Sequence, residues 1–258
     1  MGFINLLKNM FSVSDQNKGI SSRNKYNIIY NDSPFPDNLN FYRYECSAIF
    51  AETNRKRTRK IEAFSEAEAL EQMRSEGFVD PITIKRIPFD PPTEPQITAC
   101  KQHHTEIPTK ACKLDMSYII DRSIENDSIA NPELLQFATE MKIATSYYTG
   151  KRTLYCNIFN ALDLRDKIAF FIFCIYRFLT KDRCGNLNRS QFKDIFYNFA
   201  DNMIEDKSFV KSMNRYSGDQ LRYFGEYNIG KDTYCYGGSQ NTMAYKSAVQ
   251  YLRKQHLL

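Results

Sequence analysis

At 258 residues the chain is long enough for one large domain or two small ones, and it can bury a core without covalent staples. Thirty-five basic against 30 acidic side chains leave a net charge of +5, an excess too small to define a partner unless it is concentrated in one place. Seven cysteines, an odd number scattered without paired spacing, fit a reducing compartment, so the chain reads as cytoplasmic.

The opening MGFINLLKNMF carries apolar side chains at 3, 4, 6, 7, 10 and 11 and predicts a short amphipathic helix over 1–11. Such a helix packs on the body of the protein, or lies on a membrane surface or a partner. Asn5, Lys8 and Asn9 break its apolar stretch and no small-residue cleavage site follows, which is unlike a secretory signal. After Gly2, Leu6 stands where a myristoylation signal needs Ser or Thr. Residues 12–40 are rich in Ser, Asn, Asp and Pro, the composition of a linker.

Near Phe41 the text changes. FYRYECSAIF reads as a strand and, after a polar turn, RTRKIEAF reads as its hairpin partner. SEAEALEQMRSEG then predicts a helix: Ser65 and Glu68 have capping-box spacing, Ala67, Leu70 and Met73 can share a face, and Gly77 supplies a left-handed stop. PITIKRI adds a last strand, giving a ββαβ module over 41–88. In outline, residues 41–87 resemble small modules of the F/Y-x-Y-x-A, A-x-S-x-x-E-A, L-x-x-x-G type, among them the N-terminal cytoplasmic repeats of type II secretion F proteins. That resemblance implies the fold. The long membrane segments of the secretion family are absent, which argues against its activity.

Over 89–122, Thr93 and Gln96 form a second capping box with Pro95 in the first turn, and this helix is expected to run to about His104. Ile107-Pro108 opens an extended loop, and Asp115 caps a second short helix. The pattern P-T-x-x-Q, I-P, D-x-S-x-x-I over 91–122 resembles the SAP-like helix pairs of bacterial and phage proteins. The resemblance implies nucleic-acid binding or docking; the alternative is a structural connector.

SIENDSIA is a linker, and helices are expected at roughly 132–142, 151–161, 164–180, 189–203, 206–214, 218–224 and 241–255, making 131–258 a helical domain. KDTYCYGGSQ can carry a short hairpin. The centre of this domain is Ile168 to Leu179, IAFFIFCIYRFL, where only Arg177 is charged. Twelve residues cannot cross a bilayer of about 30 Å, which takes roughly 20 apolar residues. A helix apolar on all sides must therefore be covered on all sides by protein. The class predicted is α+β, with no internal repeat and no transmembrane segment.

The densest charge is Arg55, Lys56, Arg57, Arg59 and Lys60, expected at the hairpin turn. Such a projection suits phosphates, or shields a sheet edge. Cys100, His103, His104 and Cys112 lack the clear ligand pairs of a structural zinc site. KDRCGNLNRSQF carries Asp182, Asn186 and Asn188, but Leu187 and Lys193 occupy the positions where a calcium loop needs Gly and Glu. Asp163, Asp166, Asp194, Asp201, Glu205 and Asp206 suit helix caps and solvent faces better than a Mg²⁺ nuclease site, which needs converging carboxylates. Gly237-Gly238-Ser239 lacks the Lys-Ser or Lys-Thr of a phosphate loop. No catalytic residues, no metal and no cofactor are assigned. The expectation is a non-catalytic intracellular binding protein with nucleic acid as the leading partner. A metal-dependent enzyme acting on nucleic acid and a protein-interaction adaptor stay open as alternatives.

Overall fold

The computed structural model describes residues 38–230 and 233–258, and the chain divides into two units at Asn126–Asp127. The helix expected over 1–11 and all but the end of the linker expected over 12–40 lie outside the described residues. The class is α+β, a small antiparallel sheet followed by a mostly helical region. Among the described residues no helix is long and apolar enough to cross a membrane.

In the first unit β1 (Tyr42–Phe50) and β2 (Arg55–Ala63) form a hairpin and α1 (Glu66–Ser75) follows. β3 (Phe78–Ile87) then returns on the other side of β1, so the order is β2-β1-β3. Period-two alternation assigns the faces. Tyr44, Cys46 and Ala48 of β1, Ile61 and Ala63 of β2, and Phe78 of β3 are buried with Ala69 and Met73 of α1. Ser65 caps α1 by accepting the Glu68 N–H at 3.2 Å, and Glu68 accepts the Phe64 N–H at 2.9 Å. Gly77, at φ +89°, stops the helix as its spacing predicts.

The helix pair follows as α2 (Glu94–Gln102) and α3 (Lys113–Ile124), with the Thr93–Gln96 capping box in place. α2 ends before His104, which turns out of the helix at φ +51°. Cys112, rather than Asp115, is the N-cap of α3; Asp115 sits at the third helical position and accepts the Cys112 N–H at 3.0 Å. Buried Gln96 ties the two helices, its Nε2 donating to Lys113 O at 2.9 Å and to Ser117 Oγ at 3.2 Å. Leu39, Phe41 and Cys112, with Phe64, Phe89, Leu114 and Tyr118 packed on them, join the pair to the sheet.

One group in α3 makes the first unit sensitive to pH. Asp121 is 8 % exposed and its Oδ1 has no partner among the described residues. Burial, and after it the charge of Glu125, pushes this carboxyl up to about 6. An unfolded aspartate titrates near 3.9, so the folded chain holds this proton more tightly. The stabilisation is complete below about pH 4 and lost as pH rises through about 6. Asp121→Asn is expected to raise stability at pH 7 by about 2 kcal/mol and to change little at pH 4, read from urea midpoints at both values.

The second unit contains α4 (Pro132–Glu140), α5 (Lys151–Ala161), α6 (Leu164–Thr180), α7 (Lys193–Met203), α8 (Lys207–Met213) and α9 (Met243–Lys254). A hairpin of β4 (Glu226–Gly230) and β5 (Thr233–Tyr236) precedes α9. Asp163 caps α6 by accepting the Asp166 N–H at 2.9 Å, and every residue from Ile168 to Tyr176 is buried. Phe170 stacks on Phe137 of α4 at 5.3 Å, and Phe173 and Tyr176 meet Phe196 of α7. The helix expected from 189 begins at Lys193, because Leu187–Arg189 close a separate 3₁₀ turn. The helix expected over 218–224 is a 3₁₀ turn, Gly218–Leu221. The Gly238 N–H occupies the carbonyls of Gln220 and Tyr223, at 3.2 and 2.8 Å, and takes them away from a continuing helix.

Candidate nucleic-acid interface

The five cations singled out in the sequence lie on β2 itself. The connection is Ala51 to Asn54, with Asn54 at φ +50°, and Arg55 already pairs with Phe50. Pleating then splits the group. Arg55, Arg57 and Arg59 have the parity of Ile61 and Ala63, whereas Lys56 and Lys60 point to the opposite face with Thr58. All five are exposed, and none forms an ion pair with a described carboxylate. The Arg57 guanidinium lies 4.5 Å from the Phe50 ring centroid and donates to Thr53 Oγ1 at 3.4 Å, which holds it along the hairpin.

β2 is an edge strand, paired with β1 on one side only. Cations on such an edge block pairing with another sheet. They also form a regular array: alternate residues of an antiparallel strand are about 7 Å apart, so each arginine can meet a different phosphate.

The exposed face of the sheet extends this array. Its rows are Lys56–Ile49–Val79, Thr58–Ser47–Thr83, Lys60–Glu45–Lys85 and Glu62–Arg43–Ile87. Arg43 is occupied by Glu62 at 2.8 Å and Asp90 at 2.9 Å, and Asp90 is held below the usual carboxylate range first by that hydrogen bond. Lys85 therefore joins Lys56 and Lys60 as the positive contribution of this face. Lys85 went unnoticed in the sequence, where PITIKRI shows alternation but not the register that sets it opposite Glu45. These four rows hold no aromatic side chain, and the Phe89 ring at their border lies 4.8 Å from the Arg43 guanidinium, so the rows themselves offer no platform on which a base could stack. Their chemistry is that of backbone contact.

The other sequence candidates are engaged elsewhere. Cys100 and Cys112 are buried in different parts of the helix pair, and their thiols are pushed up to about 11 and about 12, both mainly by burial. His103 and His104 are exposed. Asn186 and Asn188 both donate Nδ2 to Glu140 Oε2, at 3.1 and 3.0 Å, and their turn is further tied by a Gly185 N–H bond to Glu133. Asp163 and Asp206 cap helices, Asp201 pairs with Arg165, and Asp166 accepts from the Tyr197 hydroxyl at 2.8 Å. The N–H groups of Gly237 and Gly238 are taken by protein carbonyls. Among the described residues no three His, Cys, Asp or Glu side chains converge as metal ligands.

Compared with known proteins, the chain matches no family model, no curated protein and no solved structure.

Proposed function

We propose that the chain is a non-catalytic intracellular binding protein that holds nucleic acid by its phosphates along the edge strand β2. The observation that carries this reading is a run of five exposed cations, Arg55, Lys56, Arg57, Arg59 and Lys60, on a strand edge and without a carboxylate partner among the described residues. Contact through phosphates alone gives affinity without sequence preference, and counterion release makes that affinity fall with salt. Seven free thiols, four of them buried, agree with a reducing interior.

The test is fluorescence anisotropy with duplex and single-stranded DNA and RNA at two salt concentrations. Replacing Arg55, Lys56 and Arg57 together by glutamine is expected to weaken binding to all sequences alike. Each lost contact should reduce the log-log salt slope by about 0.9 on duplex DNA and about 0.7 on single strands. Folding stability should stay within about 0.5 kcal/mol, as for other exposed changes. Wild-type protein that fails to bind even at low salt removes the proposal, and an unchanged slope in the triple variant moves the interface away from β2.

A further inference from the structure

Arg177 is the one charged side chain of the run from Ile168 to Leu179, and a guanidinium drawn into a core is costly unless an anion meets it. Among the described residues no carboxylate does. Its Nη1 donates to the Tyr155 hydroxyl at 2.8 Å, and its Nε–H is buried without an acceptor. Tyr155 is 3 % exposed and burial pushes its phenol up to about 12, so it stays a neutral partner at ordinary pH.

Arg177 borders a cleft of about 180 Å³, whose lining includes Lys151 of α5, Lys181 at the end of α6, Asp182 and Arg222. Arg222 is held by Asp127 and Asp219, each at 3.4 Å, and its Nε–H likewise lacks an acceptor among the described residues. Lys151 titrates below its usual range, first through burial and then through the charges of Arg222 and Arg177, which outweigh the attraction of Asp127, so the cations crowd one another. Lys181 lies 4.6 Å from the Phe178 ring centroid and is not ion-paired to a described carboxylate. Among the described residues Asp182 is the single carboxylate of the lining, and its Oδ1 accepts the Cys184 N–H at 2.9 Å.

We infer that this cleft is an anion site for a phosphate group, either free or carried by a small molecule. Three cations not ion-paired to a described carboxylate, Lys151, Arg177 and Lys181, favour a dianion over a lone carboxylate. A planar guanidinium beside two ammonium groups matches the several acceptor oxygens of a phosphate. The volume lies below the roughly 300–1,000 Å³ of pockets that enclose drug-sized ligands, so the occupant is small. The site is built wholly within the second unit and does not depend on the β2 array.

Calorimetric titration of the full chain with inorganic phosphate, and separately with glycerol phosphate, at constant ionic strength tests the inference. One saturable site per chain is expected. Tighter binding of the ester identifies a phosphorylated small molecule as the occupant, and tighter binding of inorganic phosphate identifies the free ion. Arg177→Gln should weaken binding about tenfold or more, the usual effect of losing a charge-assisted hydrogen bond. Lys181 is exposed at the rim, so Lys181→Gln keeps the fold and should still weaken binding several-fold; it decides the matter if Arg177→Gln does not fold. Absence of saturable binding of both probes, or wild-type affinity in Lys181→Gln, overturns the inference. So does loss of phosphate binding in the β2 triple variant, which would place the anion on the sheet.

Discussion

Replacing Phe171 with alanine is expected to destabilise the helical unit by about 3–5 kcal/mol, the usual result of truncating a fully buried ring. The side chain is completely enclosed and meets Phe209, Tyr216 and Phe224 edge-on, with centroids at 6.3, 5.0 and 6.4 Å. These partners come from three separate segments, so the surroundings cannot all shift inward to fill the void. Urea denaturation followed by circular dichroism measures the loss. Ile175→Ala, equally buried, should cost about 2–5 kcal/mol by the same argument. Near-wild-type stability in both variants would mean that the apolar run is a surface rather than a core.

A methyl group added at Gly218 should be almost as damaging. A Cβ there would stand 2.3 Å from Cys156 Cα and 2.4 Å from Tyr155 O, so the obstacle is the backbone of α5 and not a side chain that can rotate away. The 3₁₀ turn Gly218–Leu221 must then lift off α5, and Gly218→Ala is expected to cost about 3 kcal/mol. Leu221 and Arg222 line the cleft beside Tyr155, so phosphate binding should fall in the same variant. A variant with the wild-type melting temperature would show that the turn is not seated on α5.

Elements whose boundaries rest on local chemistry were legible in the sequence. α5 and α6 occupy the residues expected; α6 is bounded by its caps, Asp163 at the start and Lys181, left-handed at φ +60°, at the end. The same holds for α1, with Ser65 at its start and Gly77 past its end. Reading failed where long-range hydrogen bonds compete with local ones. The segment after Gly218 has helical composition, yet Gly238 claims its carbonyls. Glu226–Gly230 was missed as a strand because, among the described residues, its strand partner is the short segment Thr233–Tyr236 alone. The cations of β2 were visible as a run, but their division between two faces needed the register with β1. The cleft was foreshadowed by Arg177, an isolated charge in an apolar helix, with Lys181 four residues on at the end of the same helix; Lys151 and Arg222 are brought to it by packing.

The buried cysteines have an experimental consequence. Thiol reagents attack the thiolate, and Cys46 in the sheet, Cys100 in the helix pair and Cys174 in the central helix are each enclosed, with burial raising all three above the ordinary thiol range. Labelling at these positions must wait for the surrounding structure to open, so its rate clocks that opening. Cys156, Cys184 and Cys235, only partly buried, supply the fast background. Under mild urea, mass spectrometry of the labelled peptides would thus time the loosening of three separate regions in the unmodified chain. Matching rates at Cys46 and Cys100, distinct from that at Cys174, would mark the first unit as one cooperative block.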